Sequence, residues 1–179
     1  MENLQSEDKE LGKKRLQFKY EDRVIYEWNQ TIDEVFIYIK PPPFVLPENK
    51  EAVRAQLQPG QTMPEMDIKI TSTHISVGIK GNPPFLNEDL GGKVNAEESL
   101  WYFEDEEIHI SLQKIYKAQT WTSACKGHST LDPMTEAAVK KNILLERFQE
   151  ENPGFDFSGA DLNGMVPDPD KFMGGVSYK

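Results

Sequence analysis

Cys125 and His128 stand three residues apart, close enough for an imidazole to draw the proton from a thiol and leave a nucleophilic thiolate. A thiolate needs an electropositive setting, and this pair falls in a loop with no glycine-rich turn or helix start beside it to supply one. The three histidines, His74, His109 and His128, are scattered and do not pair with one another at the spacing of a zinc site. His109 alternates outward on a strand, so it is expected to face solvent. Gly91-Gly92 and Gly174-Gly175 are isolated pairs without the repeat and the lysine of a phosphate loop. Asp168-Pro169-Asp170 is too short and rigid for a calcium loop. Carboxylates abound, but neighbours in sequence do not make an acid and base pair. No enzyme class emerges, and no metal or cofactor is implied.

What the chain does specify is a set of short strands. Ile75, Val77 and Ile79 alternate with smaller neighbours, and Ile108, Ile110 and Leu112 alternate with His109, Ser111 and Gln113. Residues 33–40 put Val35, Ile37 and Ile39 on one face and Phe36 and Tyr38 on the other, until Pro41-Pro42-Pro43 stops the ladder. Residues 67–71 and 74–79 read as strands joined by Ser72-Thr73, and residues 85–90 with 92–94 as an irregular fourth. Residues 100–103 and 107–114 form a hairpin with Asp105 and Glu106 near its turn, and a last strand is expected near residues 120–124. Short strands with no helix between them leave no room for parallel crossovers. The expectation is an all-β protein, an antiparallel β-sandwich of seven or so strands, with Trp28, Trp101 and Trp121 as core or cap aromatics.

Around this sandwich, taken as residues 23–126, the sequence places looser pieces. Residues 1–22 hold six acids and five bases with few apolar side chains, which reads as a charged, solvated tail in which a short surface helix is also compatible. Residues 47–64 read as an inserted surface loop with a helical turn ended by Pro59-Gly60. Asp132-Pro133 is a helix start, with a stripe of Met134, Ala138, Leu145 and Phe148, a Glu136–Lys140 pair, and an end before Asn152-Pro153-Gly154. That stripe is expected to cover the sandwich. Phe155 and Phe157, two apart in an extended piece, would clamp the rest of residues 131–160 onto the core, and residues 161–179 read as a flexible tail.

The chain of 179 residues is long enough for one domain with extensions. Its hydrophobic share of 37% is below the roughly 45–50% usual for globular domains, in keeping with solvated ends. The net charge is -10, and residues 86–107 carry eight acids against Lys93 alone. Such a surface repels nucleic acid and anionic membranes and favours a basic protein partner, although most of these carboxylates serve simply to keep turns and edges soluble. A single cysteine excludes an intramolecular disulfide. No apolar run is long enough for a signal peptide or a membrane span, so the chain reads as cytoplasmic.

The run Gly78-Ile79-Lys80-Gly81-Asn82-Pro83-Pro84, then Glu97-Glu98-Ser99-Leu100-Trp101 and Glu104-Asp105, resembles the signature of the NudC family, whose members carry a CS domain. Trp28-Asn29-Gln30-Thr31 followed by Glu34-Val35 is similar to the start of that domain, and residues 147–160 resemble the C-terminal segment of the family's NudC-like branch. The insertion at residues 47–64 departs from the pattern. The resemblance implies a non-enzymatic co-chaperone or adaptor that binds and stabilises protein clients, with heat-shock protein 90 and β-propeller proteins of the dynein pathway as partners. It implies partner-binding roles for Lys80, Asn82, Pro83, Pro84, Trp101, Glu104 and Asp105, though Lys80, Asn82 and Pro83 also suit a turn. The alternative is a scaffold of the microtubule motor machinery that self-associates, as a homodimer, through its N-terminal tail and C-terminal helix. A hydrolase built on Cys125 and His128 is the remote third.

Overall fold

Val35, Ile37 and Ile39 form the wall against which the rest of the protein is built. In the computed structural model, which describes residues 2–154, strand β3 (Glu34–Ile39) lies between β2 (Arg23–Gln30) and β8 (Glu107–Lys114). Its three inward residues pair with Leu112, Ile110 and Ile108 in turn, and all six are essentially shut off from solvent. Full burial of such side chains contributes roughly 1.5–3 kcal/mol each. With β1 (Leu16–Tyr20) outside β2 and β7 (Val94–Glu104) outside β8, these strands make a five-stranded antiparallel sheet. Strands β4 (Met66–Ile70), β5 (His74–Ile79) and β6 (Leu86–Asp89) make a three-stranded one. Ile75, Val77 and Leu86 from the smaller sheet join the same core, so the fold is a two-layer sandwich of eight described strands.

Two hairpins turn on residue pairs in the left-handed region, as two-residue type I′ connections require. Asp105 (φ 52°) and Glu106 (φ 60°) join β7 to β8, and Glu21 (φ 49°) and Asp22 (φ 62°) join β1 to β2. Residues 1–22, expected as a solvated tail, therefore carry ordered structure: helix α1 (Glu2–Lys13) and then β1. Leu16 and Phe18 are half-buried against the sandwich core, and that apolar pair is what ties the segment down.

The strand expected at residues 120–124 does not form. A side chain takes the place of a ladder partner there: Gln30 Nε2 donates to the Trp121 carbonyl (2.8 Å), and Gln30 Oε1 accepts from the Trp121 amide (2.8 Å). One bridge, Leu90 to Cys125, is all that remains of strand pairing. Gly91 and Gly92 are a packing device here. A Cβ on Gly91 would stand 2.1 Å from the Ser123 carbonyl oxygen, and one on Gly92 would stand 2.5 Å from Trp121 Nε1.

Helix α3 (Pro133–Glu151) starts where the sequence places it, with the Asp132 carboxylate accepting from the Thr135 amide at 2.9 Å, and Glu136 pairs with Lys140 at 3.1 Å. Its buried stripe differs from the expected one. Thr135, Ala138, Val139, Asn142, Ile143 and Leu144 face inward, while Met134 is 72% exposed. Two polar residues complete the stripe because its partner is only partly the sandwich. Val139 and Ile143 pack on Ile32 and Ala118 at one end of the larger sheet, and α3 also lies along α1, where Asn142 Nδ2 donates to the Lys9 carbonyl (3.1 Å). The Phe155 and Phe157 clamp, residues 161–179, Asp168-Pro169-Asp170 and Gly174-Gly175 lie outside the described residues.

Candidate functional site: a groove between the two sheet edges

Alternation along β7 sends Trp101 and Phe103 toward the gap between the sheets and Leu100, Tyr102 and Glu104 outward. The two aromatic rings meet edge to face, centroids 5.6 Å apart at 79°. Among the described residues, strand β7 is one of the two outer strands of its sheet and β4 one of the two of the other. Between these edges a cavity of about 360 Å³ opens, lined by Phe44, Leu46, Met63, Met66, Trp101 and Phe103 among others. Lys50 and Glu65 are its charged lining residues.

The segment between β3 and β4 makes one wall. From the last of the three prolines that follow β3, residues Pro43–Val45 form a 3-10 turn, Val45 and Leu46 are buried, and Pro47–Asn49 form a second turn that leads into α2 (Lys50–Gln56). Asn49 Nδ2 fastens the two turns by donating to the Pro43 carbonyl (2.9 Å). The chain then returns through Gly60 (φ 88°) to Met63 and Met66. Residues 47–64 hold a 3-10 turn and α2, and they shape part of a concave apolar surface.

The structure brings only some of the expected partner-binding residues to this groove. Trp101 lines it. Lys80 follows Ile79, which pairs with Met66, and its amide donates to the Glu65 carbonyl (2.9 Å), so it stands at the same end of the sandwich. Glu104 and Asp105 follow Phe103 at the exposed hairpin tip. Asn82, Pro83 and Pro84 do not line the groove. They shape a turn: the Asn82 amide donates to the Ile79 carbonyl (2.9 Å), and Pro84 Cα would stand 2.8 Å from a Cβ on Gly78, a contact only glycine permits. Sequence reasoning missed Phe44, Met63, Met66 and Phe103. The apolar-proline pairs Leu46-Pro47 and Met63-Pro64 at both ends of the insertion were the available signal.

His109, expected in solvent, is not. It does point outward from β8, but Tyr38 packs edge-on against it at 5.0 Å, Tyr102 lies at 5.4 Å, and its side chain is only 13% exposed. Arg15 is the reason: its guanidinium lies 3.6 Å over the Tyr38 ring and 3.0 Å from Glu107, laying the N-terminal segment across that face. His74 joins Asp89 (2.9 Å) and Asn87 between β5 and β6. Among the described residues no three metal-ligating side chains converge, and no helix is long and apolar enough to cross a membrane.

Cys125 and His128 are spent on packing. Cys125 is fully buried, which pushes its thiol up to about 11, and its hydrogen bond with Tyr26 acts the other way without reversing this. His128 Nδ1 shares a 2.6 Å hydrogen bond with Tyr26 Oη, and Phe18 stacks on the imidazole at 3.9 Å. Burial holds His128 below the ordinary value of 6.5, with Glu88 pulling in the opposite sense. The unfolded chain therefore takes up this proton at a higher pH than the fold does. The stability that neutral His128 supports is present above about pH 6.5 and is lost as pH falls through the depressed folded value. Thermal unfolding of the wild type and His128→Asn at about pH 7.5 and about pH 5.5 is expected to show a larger acid-induced fall in Tm for the wild type. Equal falls would remove His128 from the account.

The CS domain family model matches residues 24–114, from β2 to the end of β8. NudC domain-containing protein 2 of Homo sapiens is 33% identical over 141 residues, which cover 77% of this chain and 79% of that protein. The chain belongs to the NudC family of CS-domain proteins. The nuclear migration protein nudC of Drosophila melanogaster is 28% identical over 174 residues, covering 77% of this chain and 48% of its own. Among solved structures, the CS domain of the human KIAA1068 protein is similar at 21% identity and a TM-score of 0.45, covering 62% of this chain and 79% of that one. In this NudC-family protein α1, β1 and α3 lie outside the matched region, and every residue that lines the groove lies inside it.

Proposed function

We propose that this NudC-family protein is a non-enzymatic co-chaperone and adaptor that holds protein clients in the cytoplasm. The observation that carries the reading is the apolar groove at Trp101 and Phe103, an aromatic-floored depression set on a rigid two-sheet frame with acidic residues at its rim. A concave apolar surface with a polar rim is the usual anatomy of a site that holds another protein without turnover. Heat-shock protein 90 and β-propeller proteins of the dynein pathway are the partners that family membership suggests. Against the alternative, a motor scaffold that self-associates through the N-terminal segment and α3, stands the packing of α1 on α3 within one chain, which occupies part of both surfaces.

The purified full-length chain is expected to suppress heat-induced aggregation of a labile model enzyme without ATP, measured by light scattering. It is expected to retain heat-shock protein 90 or a β-propeller protein in a pull-down. Absence of both effects would overturn the reading.

A further inference from the structure

Strand β7 ends its sheet, and among the described residues no strand lies beside its outer edge. A bulge separates that edge into two parts: the register with β8 shifts between Asn95 and Leu100, and the Ser99 hydroxyl, donating to the Asn95 carbonyl (2.7 Å) and accepting from the Gln113 amide (3.1 Å), holds the distortion. Beyond it residues 100–104 run straight, and among the described residues their backbone makes no hydrogen bond outside the β8 ladder. Natural proteins often guard such an edge with charge, and Glu97, Glu98 and Glu104 do so here. Guarding alone does not account for the groove, which lies directly under the unpaired edge and takes two of its five residues, Trp101 and Phe103, as lining.

An extended segment laid along residues 100–104 would satisfy these backbone groups. Because side chains alternate, it would send every second side chain down beside Trp101 and Phe103 and the others out beside Leu100 (52% exposed) and Tyr102 (42% exposed). The cavity, about 360 Å³, falls in the range of roughly 300–1,000 Å³ that binding pockets occupy. Charge selects the occupant. Glu97 and Glu98 stand at one end of the edge and Glu104, Asp105 and Glu106 at the other, all exposed. A second copy of this chain fits poorly, since antiparallel pairing of two β7 edges about Trp101 would set Glu98 against Glu104 and Glu97 against Asp105.

We infer that β7 accepts an extended segment of a partner protein as a sixth strand, one with apolar side chains at alternate positions and lysine or arginine at both ends. The inference rests on the client-holding reading and specifies the form in which the client is held. The probe is a fluorescein-labelled Lys-Lys-Val-Thr-Leu-Ser-Ile-Lys-Lys peptide, titrated with the full-length protein and followed by anisotropy. Two further versions carry N-methyl groups on alternate amides, one set for each edge of the strand.

Methylation of one set is expected to weaken binding about tenfold or more and methylation of the other to leave it nearly unchanged, because only one edge meets β7. Glu104→Lys with Asp105→Lys, both exposed and outside the core, is expected to weaken binding about fivefold or more. A version of the probe with glutamate in place of lysine is expected not to bind. Equal loss from both methylated sets, or no dependence on the charge of the flanks, overturns strand addition. A chain dimer in sedimentation that the charge-reversed variant alters would assign the edge to a second copy and overturn it equally. If the protein still suppresses aggregation while the probe shows no edge preference, strand addition fails and the client-holding reading stands.

Discussion

Lys114→Ala is expected to destabilise the fold by about 3–5 kcal/mol, since removing one partner of a buried charged network leaves the others uncompensated. Lys114 is 4% exposed at the end of β8, and its ammonium donates to three oxygens: Gln30 Oε1 (3.1 Å), the Thr31 carbonyl (2.7 Å) and the Gln119 carbonyl (2.6 Å). These belong to the β2–β3 turn and to the connection that leads toward α3, so one side chain gathers the end of the sandwich on which α3 rests. The Glu146 carboxyl of α3 completes the arrangement. It accepts from the Ile32 amide at 3.1 Å, and burial raises its pKa while Lys114 lowers it. Truncating Lys114 removes that opposing charge and takes the ammonium from the Thr31 and Gln119 carbonyls, each at a cost of roughly 1–3 kcal/mol in isolation, while Gln30 Oε1 keeps the Trp121 amide. Lys114→Met restores much of the volume and none of the donors, so it is expected to recover only a minor part of the loss. Urea unfolding followed by far-UV circular dichroism reads the difference, and thermal unfolding should show a fall of roughly 10 °C for Lys114→Ala. Wild-type stability in the alanine variant would show that the two carbonyls find other donors and that the lysine is not the hub.

The inward position of Lys114 was already present in the alternation of Ile108, Ile110 and Leu112, which it continues by parity. Period two gave the faces of β3, β5 and β8 because each has one wholly buried side, and a slip of one residue would expose it. The same logic fails where a stripe is finished with polar residues. Thr135 of α3 is buried with its hydroxyl on the Asp132 cap and Asn142 with its amide on the Lys9 carbonyl of α1, so an apolar stripe drawn through Met134 and Leu145 lands one residue away from the true one at each end. The N-terminal hairpin was hidden for another reason. Its turn is Glu21-Asp22, both left-handed without a glycine or asparagine to announce it, and the strand before it, β1, is only five residues long.

The candidate site divides the same way. Of the residues that the family motif offered, Trp101 lines the groove, Lys80, Glu104 and Asp105 do not line it, and Asn82, Pro83 and Pro84 shape a turn. The opposite wall comes from residues 43–66, remote in sequence from β7, and no local periodicity can report a surface assembled from two distant segments. His109 shows the converse: a strand's outward face is solvent only until another segment covers it, and here Arg15 does.

Trp121→Ala is expected to cost about 3–5 kcal/mol, the range for emptying a large aromatic from a packed core. Trp121 is 1% exposed and stands where a strand was expected, so its ring must supply by packing what pairing does not. The indole nitrogen has no hydrogen-bond partner among the described residues. Trp121→Phe therefore leaves no new orphan behind and is expected to lose only the smaller part of the packing. Gly92 provides the decisive comparison. A methyl there would press on the indole at 2.5 Å, so Gly92→Ala alone is expected to destabilise by about 1–3 kcal/mol through overpacking. In the Trp121→Ala background the same methyl enters vacated space, and its cost is expected to vanish or reverse. A double-mutant cycle from urea unfolding would then give a coupling of about 1 kcal/mol or more. Additive effects would mean that Gly92 is required for its backbone alone. Gln30 binds the Trp121 main chain and also accepts from Lys114, so one side-chain amide ties this connection to the end of β8, and because Trp121→Ala keeps those main-chain bonds its loss reads the packing of the indole alone.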